Sequence, residues 1–135
     1  MQEFTVEFRV YGSDLDPSTV TATLGLQPSL KREVGDRRDE TTTWKEGMWS
    51  YNGFPETAGA ITWPSLEEGL GVVLEKLLPK KDALQIYKDK YEMVLWCGHF
   101  QTDSNGSITL SPEILAKLGE FGVELFIDTY FSEPK

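Results

Sequence analysis

The chain has 135 residues, a length typical of one domain, which we expect to span residues 1–135. Of these residues 39% are hydrophobic and 26% are charged, a composition that argues against disorder. Its 22 acidic and 13 basic side chains give a formal charge of −9. An acidic surface repels phosphate backbones and anionic lipid, so nucleic acid and membrane are excluded as expected partners. A basic protein or a cation suits this charge better, although acidity also serves solubility alone.

The excess negative charge is concentrated at the two ends of the chain. Residues 1–16 carry a net charge of −3 and residues 101–135 a net charge of −4. Cys97 is the only cysteine, so no internal disulfide and no thiolate metal cluster can form. The chain opens without the pattern of a signal peptide, and no apolar run is long enough to cross a bilayer. We therefore expect a soluble, cytoplasmic protein.

The first half of the chain opens with a strand and a helix. Apolar and polar side chains alternate from Phe4 to Tyr11, which is the period of a half-buried strand. Asp16 and Pro17 have the pattern of a helix start, and Gly25 that of a left-handed helix end. The threonines and aromatic residues of Thr41 to Tyr51 predict a second strand.

Glycines punctuate the elements that follow. Gly47 interrupts the alternation of the second strand and predicts a bulge or a tight bend. The clearest helix begins at the capping box of Ser65 and ends at Pro79. Gly69 and Gly71 each weaken such a helix by about 1 kcal/mol relative to Ala, so we expect something to pack closely against both.

The second half contains the strongest strand. A short helix is expected from Asp82, and the residues from Tyr91 to Phe100 are apolar on both faces, which predicts a central strand covered on both faces at least in part. Asn105-Gly106 predicts a turn, and Ile108–Leu110 a short strand or extended segment.

The last elements complete the predicted fold. Ser111 begins a third substantial helix, Gly122 ends it, and Val123 to Tyr130 alternates as a final strand. This order predicts an α+β two-layer sandwich, with helices on one face of a mainly antiparallel sheet, as a ferredoxin-like variant. In that arrangement the first and last strands lie side by side, which would join the two acidic ends.

Short motifs follow one another along nearly the whole chain. They are LGLQPS from Leu24 to Ser29, Gly35-Asp36, Trp49-Ser50, the Leu66/Leu70/Leu77 helix, Leu78-Pro79, the Ser-Pro-Glu-Ile-Leu start at Ser111, and a last strand ending near Asp128 and Tyr130. In this order they resemble the uncharacterised bacterial family catalogued as domain of unknown function 4279. The resemblance implies a small cytoplasmic protein without an assigned activity, and some relatives are thought to be immunity proteins in toxin systems. Gln27 stands where the resemblance leads us to expect an acidic residue, which would alter specificity if that position touches a partner.

Catalytic chemistry finds little support in the residue pattern. Cys97 and His99 share a strand face, so a nucleophile pair is conceivable, but no third group orients them and buried structural cysteine is far commoner. Asp103 and Asn105 resemble the start of a calcium loop that lacks its closing glutamate. We therefore predict no catalytic residues, no metal and no cofactor.

Binding residues are better represented, in the segment from Lys31 to Tyr51. Arg37 and Arg38 have two interpretations. They bind a carboxylate or phosphate group, or they belong to a solvated loop whose own acidic residues balance their charge. Trp44, Trp49 and Tyr51 either form an aromatic binding surface beside that loop or cover one end of the core.

Two function classes follow from these observations. The leading hypothesis is a non-enzymatic protein-binding domain, an inhibitor or immunity protein of a basic partner. The alternative is a small-ligand-binding or enzymatic domain with a pocket between the sheet and residues 31–53. Self-association through an exposed sheet edge is a further hypothesis, so we expect a monomer or a homodimer.

Overall fold

The sheet is the centre of the fold. A computed structural model describes residues 2–55, 58–59, 61–102 and 106–132. Within them the strands are β1 (Gln2–Gly12), β2 (Leu30–Arg32), β3 (Gly47–Tyr51), β4 (Glu92–Gln101) and β5 (Glu124–Phe131). They form one sheet in the order β2-β3-β1-β4-β5, antiparallel except for the parallel pair β4 and β5. The predicted α+β class and mainly antiparallel sheet are confirmed.

The helices pack against one face of this sheet. In the described residues they are α1 (Pro17–Leu24), α2 (Leu66–Leu77), α3 (Lys81–Lys88) and α4 (Pro112–Phe121), with a 3-10 turn at Leu78–Lys80. The expected starts are confirmed, since Asp16, Ser65 and Ser111 each accept a hydrogen bond from an amide of the first turn that they cap. Gly25 and Gly122 end their helices at φ of 67° and 70°.

The core lies between the helices and the inward row of β1. Phe4, Val6, Phe8 and Val10 are buried, and the large side chains of α2 lie against them. Leu95 of β4 extends the same apolar layer. The opposite side of the sheet carries no helix in the described part of the chain, and we call it the outer face.

The expectation that the first and last strands are neighbours is wrong. β4 lies between β1 and β5 and pairs with both. The connection from β4 to β5 passes through α4, and such a helical crossover returns the chain parallel to the strand it left. The two acidic ends are therefore separated by one strand, although their outward side chains share the outer face.

The predicted second strand is too long. Only Gly47–Tyr51 is a strand, because the Asp39 carboxylate accepts hydrogen bonds from the amides of Thr41 and Thr42 at 2.9 and 2.8 Å and holds that stretch in a turn. The short strand β2 was not expected. Of the two alternatives for Ile108–Leu110, a short strand or an extended segment, the strand is wrong.

The glycine predictions are resolved individually. Gly47 pairs with Gly12 in an unbroken register, so the bulge predicted there as one alternative is wrong. A methyl group built on Gly47 lies 2.2 Å from the Leu15 carbonyl oxygen, so this glycine permits a close approach at the start of β3. Gly69 is packed as expected, but nothing lies within 4 Å of a methyl group on Gly71, so the expectation there is wrong. Asp82 lies in the first turn of α3, which begins one residue earlier. The predicted turn at Asn105 lies outside the described residues.

Candidate functional site

Trp49 and Tyr51, for which a binding surface and a cover over one end of the core are the two interpretations, both lie in the core. Trp49 is 0% exposed, and its indole Nε1 donates a hydrogen bond to the Thr21 hydroxyl at 3.0 Å. Its ring packs edge-on against Phe8 and stacks on Tyr51, with ring centroids 6.3 and 6.2 Å apart. Burial also raises the pKa of Tyr51. These placements favour the interpretation that both side chains cover one end of the core.

Trp44 is half-buried and lies under two cations. The guanidinium carbons of Arg32 and Arg38 lie 3.7 and 4.7 Å from its ring centroid, within the range of a cation–π interaction. Arg32 also donates from Nη2 to the Met48 sulfur at 2.9 Å. Arg32 therefore occupies the space between Trp44 and Met48 of β3.

The charged loop around these residues is held by its own backbone. Asp36 accepts a hydrogen bond from the Glu33 amide at 2.8 Å, and the Trp44 amide donates to the Asp36 carbonyl oxygen at 2.8 Å. Hydrogen bonds from the Thr41 and Thr42 amides lower the pKa of Asp39. Arg37 is exposed on this loop. A binding role for Arg37, Arg38 and Trp44 stays a prediction.

Cys97 and His99 are both buried on the helix side of the sheet. Burial, together with the charge of Glu7, raises the pKa of the Cys97 thiol to about 12, so the nucleophilic thiolate is scarce at neutral pH. His99 is buried and stacks on Phe4, and its ring nitrogens lie 2.5 Å from Gln2 Oε1 and 3.2 Å from Thr129 Oγ1. The histidine therefore links β4 to both of its neighbouring strands.

The described residues contain no group of three or more histidine, cysteine, aspartate or glutamate side chains able to hold a metal ion. The predicted resemblance to a calcium loop at Asp103 and Asn105 lies outside those residues.

The outer face is the most distinctive surface of the structure. It is formed by the side chains that alternate with the buried rows, and strand register arranges them in lines across β1, β4 and β5. The lines are Glu3–Phe100–Tyr130, Thr5–Gly98–Asp128, Glu7–Trp96–Phe126 and Arg9–Val94–Glu124. Successive lines are about 7 Å apart, because a strand rises about 3.3 Å per residue.

Two stacked aromatic pairs occupy alternate lines of this face. The rings of Trp96 and Phe126 have centroids 6.4 Å apart, and those of Phe100 and Tyr130 are 5.0 Å apart with planes 11° from parallel. Phe100, Phe126 and Tyr130 are 37%, 44% and 42% exposed. Gly98 separates the pairs, and the Phe100 ring covers its backbone, since a methyl group there would lie 2.8 Å from that ring.

Carboxylates border these rings. Glu3 and Glu7 come from β1 and Glu124 and Asp128 from β5, so acids of both chain ends meet on one surface. Asp128 accepts a hydrogen bond from the Tyr130 hydroxyl at 2.5 Å, which raises the pKa of that phenol.

Arg9 contacts both kinds of group on this face. Its guanidinium carbon lies 4.4 Å from the Trp96 ring centroid while its Nε donates to the Glu7 carboxylate at 2.9 Å. The same side chain also donates to the Tyr11 hydroxyl at 3.1 Å. One cation is thus held by an aromatic face and a carboxylate together.

The sequence carries a signal for this face in the alternating residues of β5. Glu124, Phe126, Asp128 and Tyr130 alternate with the row that faces the helices, so acid and aromatic residues follow one another on the solvent side of β5. A solvent-facing row is ordinarily polar.

Comparison with known proteins gives one match over nearly the whole chain. The family described as Domain of unknown function (DUF4279) matches residues 2–132. No curated protein and no solved structure matches the chain. Among the described helices, none combines the length and apolar character needed to cross a membrane.

Proposed function

This chain belongs to the DUF4279 family of unknown function, and we propose that it is a non-enzymatic binding domain whose outer face holds a basic protein partner. The observation that carries the proposal is the meeting of exposed aromatic rings and carboxylates on that face. Phe126 and Tyr130 present ring surface to solvent, and Glu124 and Asp128 alternate with them on the same strand.

Such a surface suits arginine and lysine side chains in particular. A cation within about 6 Å of an aromatic centroid gains about 0.5–1 kcal/mol at an exposed site, and more when water is excluded. A neighbouring carboxylate adds a charge-assisted hydrogen bond. Arg9, held by Trp96 and Glu7, is an intramolecular example of this recognition.

The net charge of the chain supports the same class of partner. A formal charge of −9 speeds encounter with a cationic protein and disfavours acidic competitors. Tight, steered binding of a basic protein is what an inhibitor or immunity protein requires. The exposed aromatic residues supply the anchor positions that dominate such interfaces.

The proposal is tested by titrating the purified chain with the protein encoded by the neighbouring gene and with an arginine-rich peptide. We expect binding that weakens as salt is raised, because salt screens exposed charges beyond about 10 Å at 0.1 M. Phe126→Ala and Glu124→Lys should each weaken binding about tenfold, as expected for losing about 1.4 kcal/mol.

Matched controls separate this face from general charge. Glu75→Lys alters the net charge as Glu124→Lys does, but Glu75 is exposed on α2. Leu115→Ala trims an exposed apolar side chain of α4. Equal losses in all four variants, or failure of both ligands to bind, would overturn the proposal.

A second candidate function rests on a groove beside the 31–53 segment. Among the described residues Gln27, Pro28, Tyr51, Phe54 and Lys76 line a space of about 550 Å³, a volume ordinary for small-ligand sites. Lys76 and Gln27 would favour an anionic, hydrogen-bonding ligand. A thermal-shift screen of small carboxylates and phosphates tests this candidate, and a stabilising ligand whose effect is lost in Lys76→Met would support it.

A further inference from the structure

The two edges of the sheet are protected very differently. The β2 edge is three residues long and carries the exposed Lys31, a charge that discourages strand pairing. The β5 edge is eight residues long, ELFIDTYF, with neither lysine nor proline and with no bulge in its register with β4. In the part of the chain that the structure describes, no strand pairs with the free side of β5.

The surroundings of β5 leave room for another chain. Ile127 and Phe131 project on the helix side of the sheet, yet they are 37% and 52% exposed, so the helices do not overhang this strand. Phe126 and Tyr130 are exposed on the outer face. A long edge strand with several exposed apolar side chains and no bulge is a template for strand addition.

We infer that a second copy of this chain occupies the β5 edge, pairing antiparallel with its own β5 in a register centred on Thr129. A two-fold axis then extends the sheet from five strands to ten across the two copies. This inference goes beyond the proposed function, since it concerns the backbone edge of β5, although Asp128 and Tyr130 belong to both surfaces.

The register follows from the side chains placed opposite one another. Centring on Thr129 puts Ile127 opposite Phe131 and Asp128 opposite Tyr130, each twice by symmetry. An aliphatic–aromatic pair, an acid facing a phenol and a threonine pair are all favourable across antiparallel strands. The hydrogen bond from Tyr130 to Asp128 within one copy shows that these two groups are complementary.

Other registers are disfavoured by charge. Centring on Asp128 opposes that carboxylate to its own copy, and centring on Phe126 opposes Glu124 to Asp128. Like charges directly opposite are destabilising. Centring on Ile127 avoids both conflicts but sets Asp128 against Phe126, which leaves the carboxylate facing a ring.

Disulfide cross-linking of single-cysteine variants tests this register directly. Opposite Cα atoms in antiparallel strands lie about 4.5–5.5 Å apart, which falls within the span of a disulfide. Under mild oxidation we expect Thr129→Cys to cross-link to a species of twice the 15.3 kDa chain mass. Ile127→Cys and Phe131→Cys should not cross-link alone but should do so when mixed. The native Cys97 is buried and contributes little background.

Sedimentation of the unmodified chain completes the test. We expect a concentration-dependent dimer that Thr129→Lys abolishes and that Leu30→Lys, on the opposite edge, leaves intact. A formal charge of −9 per copy predicts that salt strengthens this dimer, the reverse of its effect on a basic partner. A monomer at all concentrations overturns the inference, and cross-linking of Ile127→Cys alone overturns the register.

Discussion

Two glycines of helix α2 give a matched test of the packing. A methyl group on Gly69 lies 2.6 Å from Trp63 Cδ1 and 2.8 Å from Val6 Cγ2, whereas one on Gly71 meets nothing within 4 Å. Ala gains about 1 kcal/mol over Gly in a helix interior. Gly71→Ala should therefore stabilise the chain by up to about 1 kcal/mol and raise the Tm by about 3–5 °C.

At Gly69 the same helix gain meets a steric cost. Forcing an extra methyl group into a filled core costs about 1–3 kcal/mol, so the net effect of Gly69→Ala is destabilising by up to about 2 kcal/mol. The assay is urea unfolding followed by tryptophan fluorescence, with Gly119→Ala in α4 as a second open-position control, since its methyl group also meets nothing within 4 Å. If Gly69→Ala stabilised as much as Gly71→Ala, the packing of Trp63 and Val6 against α2 would be refuted.

The remaining predictions concern Trp44, Trp49 and Cys97. Trp49→Ala should cost about 3–5 kcal/mol in urea unfolding because it empties a core position, whereas Trp44→Ala should cost about 1–2 kcal/mol for two cation–π contacts; equal costs would contradict the burial difference. Cys97 should resist thiol reagents until the chain unfolds, as measured by labelling with and without denaturant; rapid labelling of folded protein would show that its thiol is accessible. Because folding raises the Cys97 pKa from 9.0 to about 12, the folded state holds a proton that the unfolded state loses, so stability should fall as pH rises from about 9 towards 12. Cys97→Ala should flatten that decline in urea titrations, and an unchanged slope would assign it to other groups.

The elements set by local chemistry were predictable from the sequence. The caps at Asp16, Ser65 and Ser111 mark helices that begin one residue later, and the alternation from Phe4 to Tyr11 falls within β1. These signals depend on neighbours within a few residues of one another, which the sequence displays directly.

Strand order and the extent of β3 depend on more distant contacts. The turn fixed by Asp39 overrides the strand preference of Thr41 to Thr43, because a side chain that accepts two backbone hydrogen bonds competes with a sheet ladder. Whether β5 would join β1 or β4 depends on where α4 crosses the sheet, which no local pattern encodes. The candidate residues have the same limit, since Trp49 is held in the core by Phe8 and Thr21, which lie far from it in the sequence.

The outer face carries aromatic residues that the fold does not require. A solvent-facing row on a sheet is satisfied by threonine and charged residues, yet positions 96, 100, 126 and 130 are all aromatic. Burying exposed apolar area contributes about 25 cal/mol per Å² of stabilising free energy. Much of the ring area on this face is still exposed to water in the isolated chain, so that stabilisation is not gained there. The carboxylates around them oppose indiscriminate apolar contact and leave cations as the favoured ligands. On the proposed function, a basic partner that covers this surface would gain that free energy.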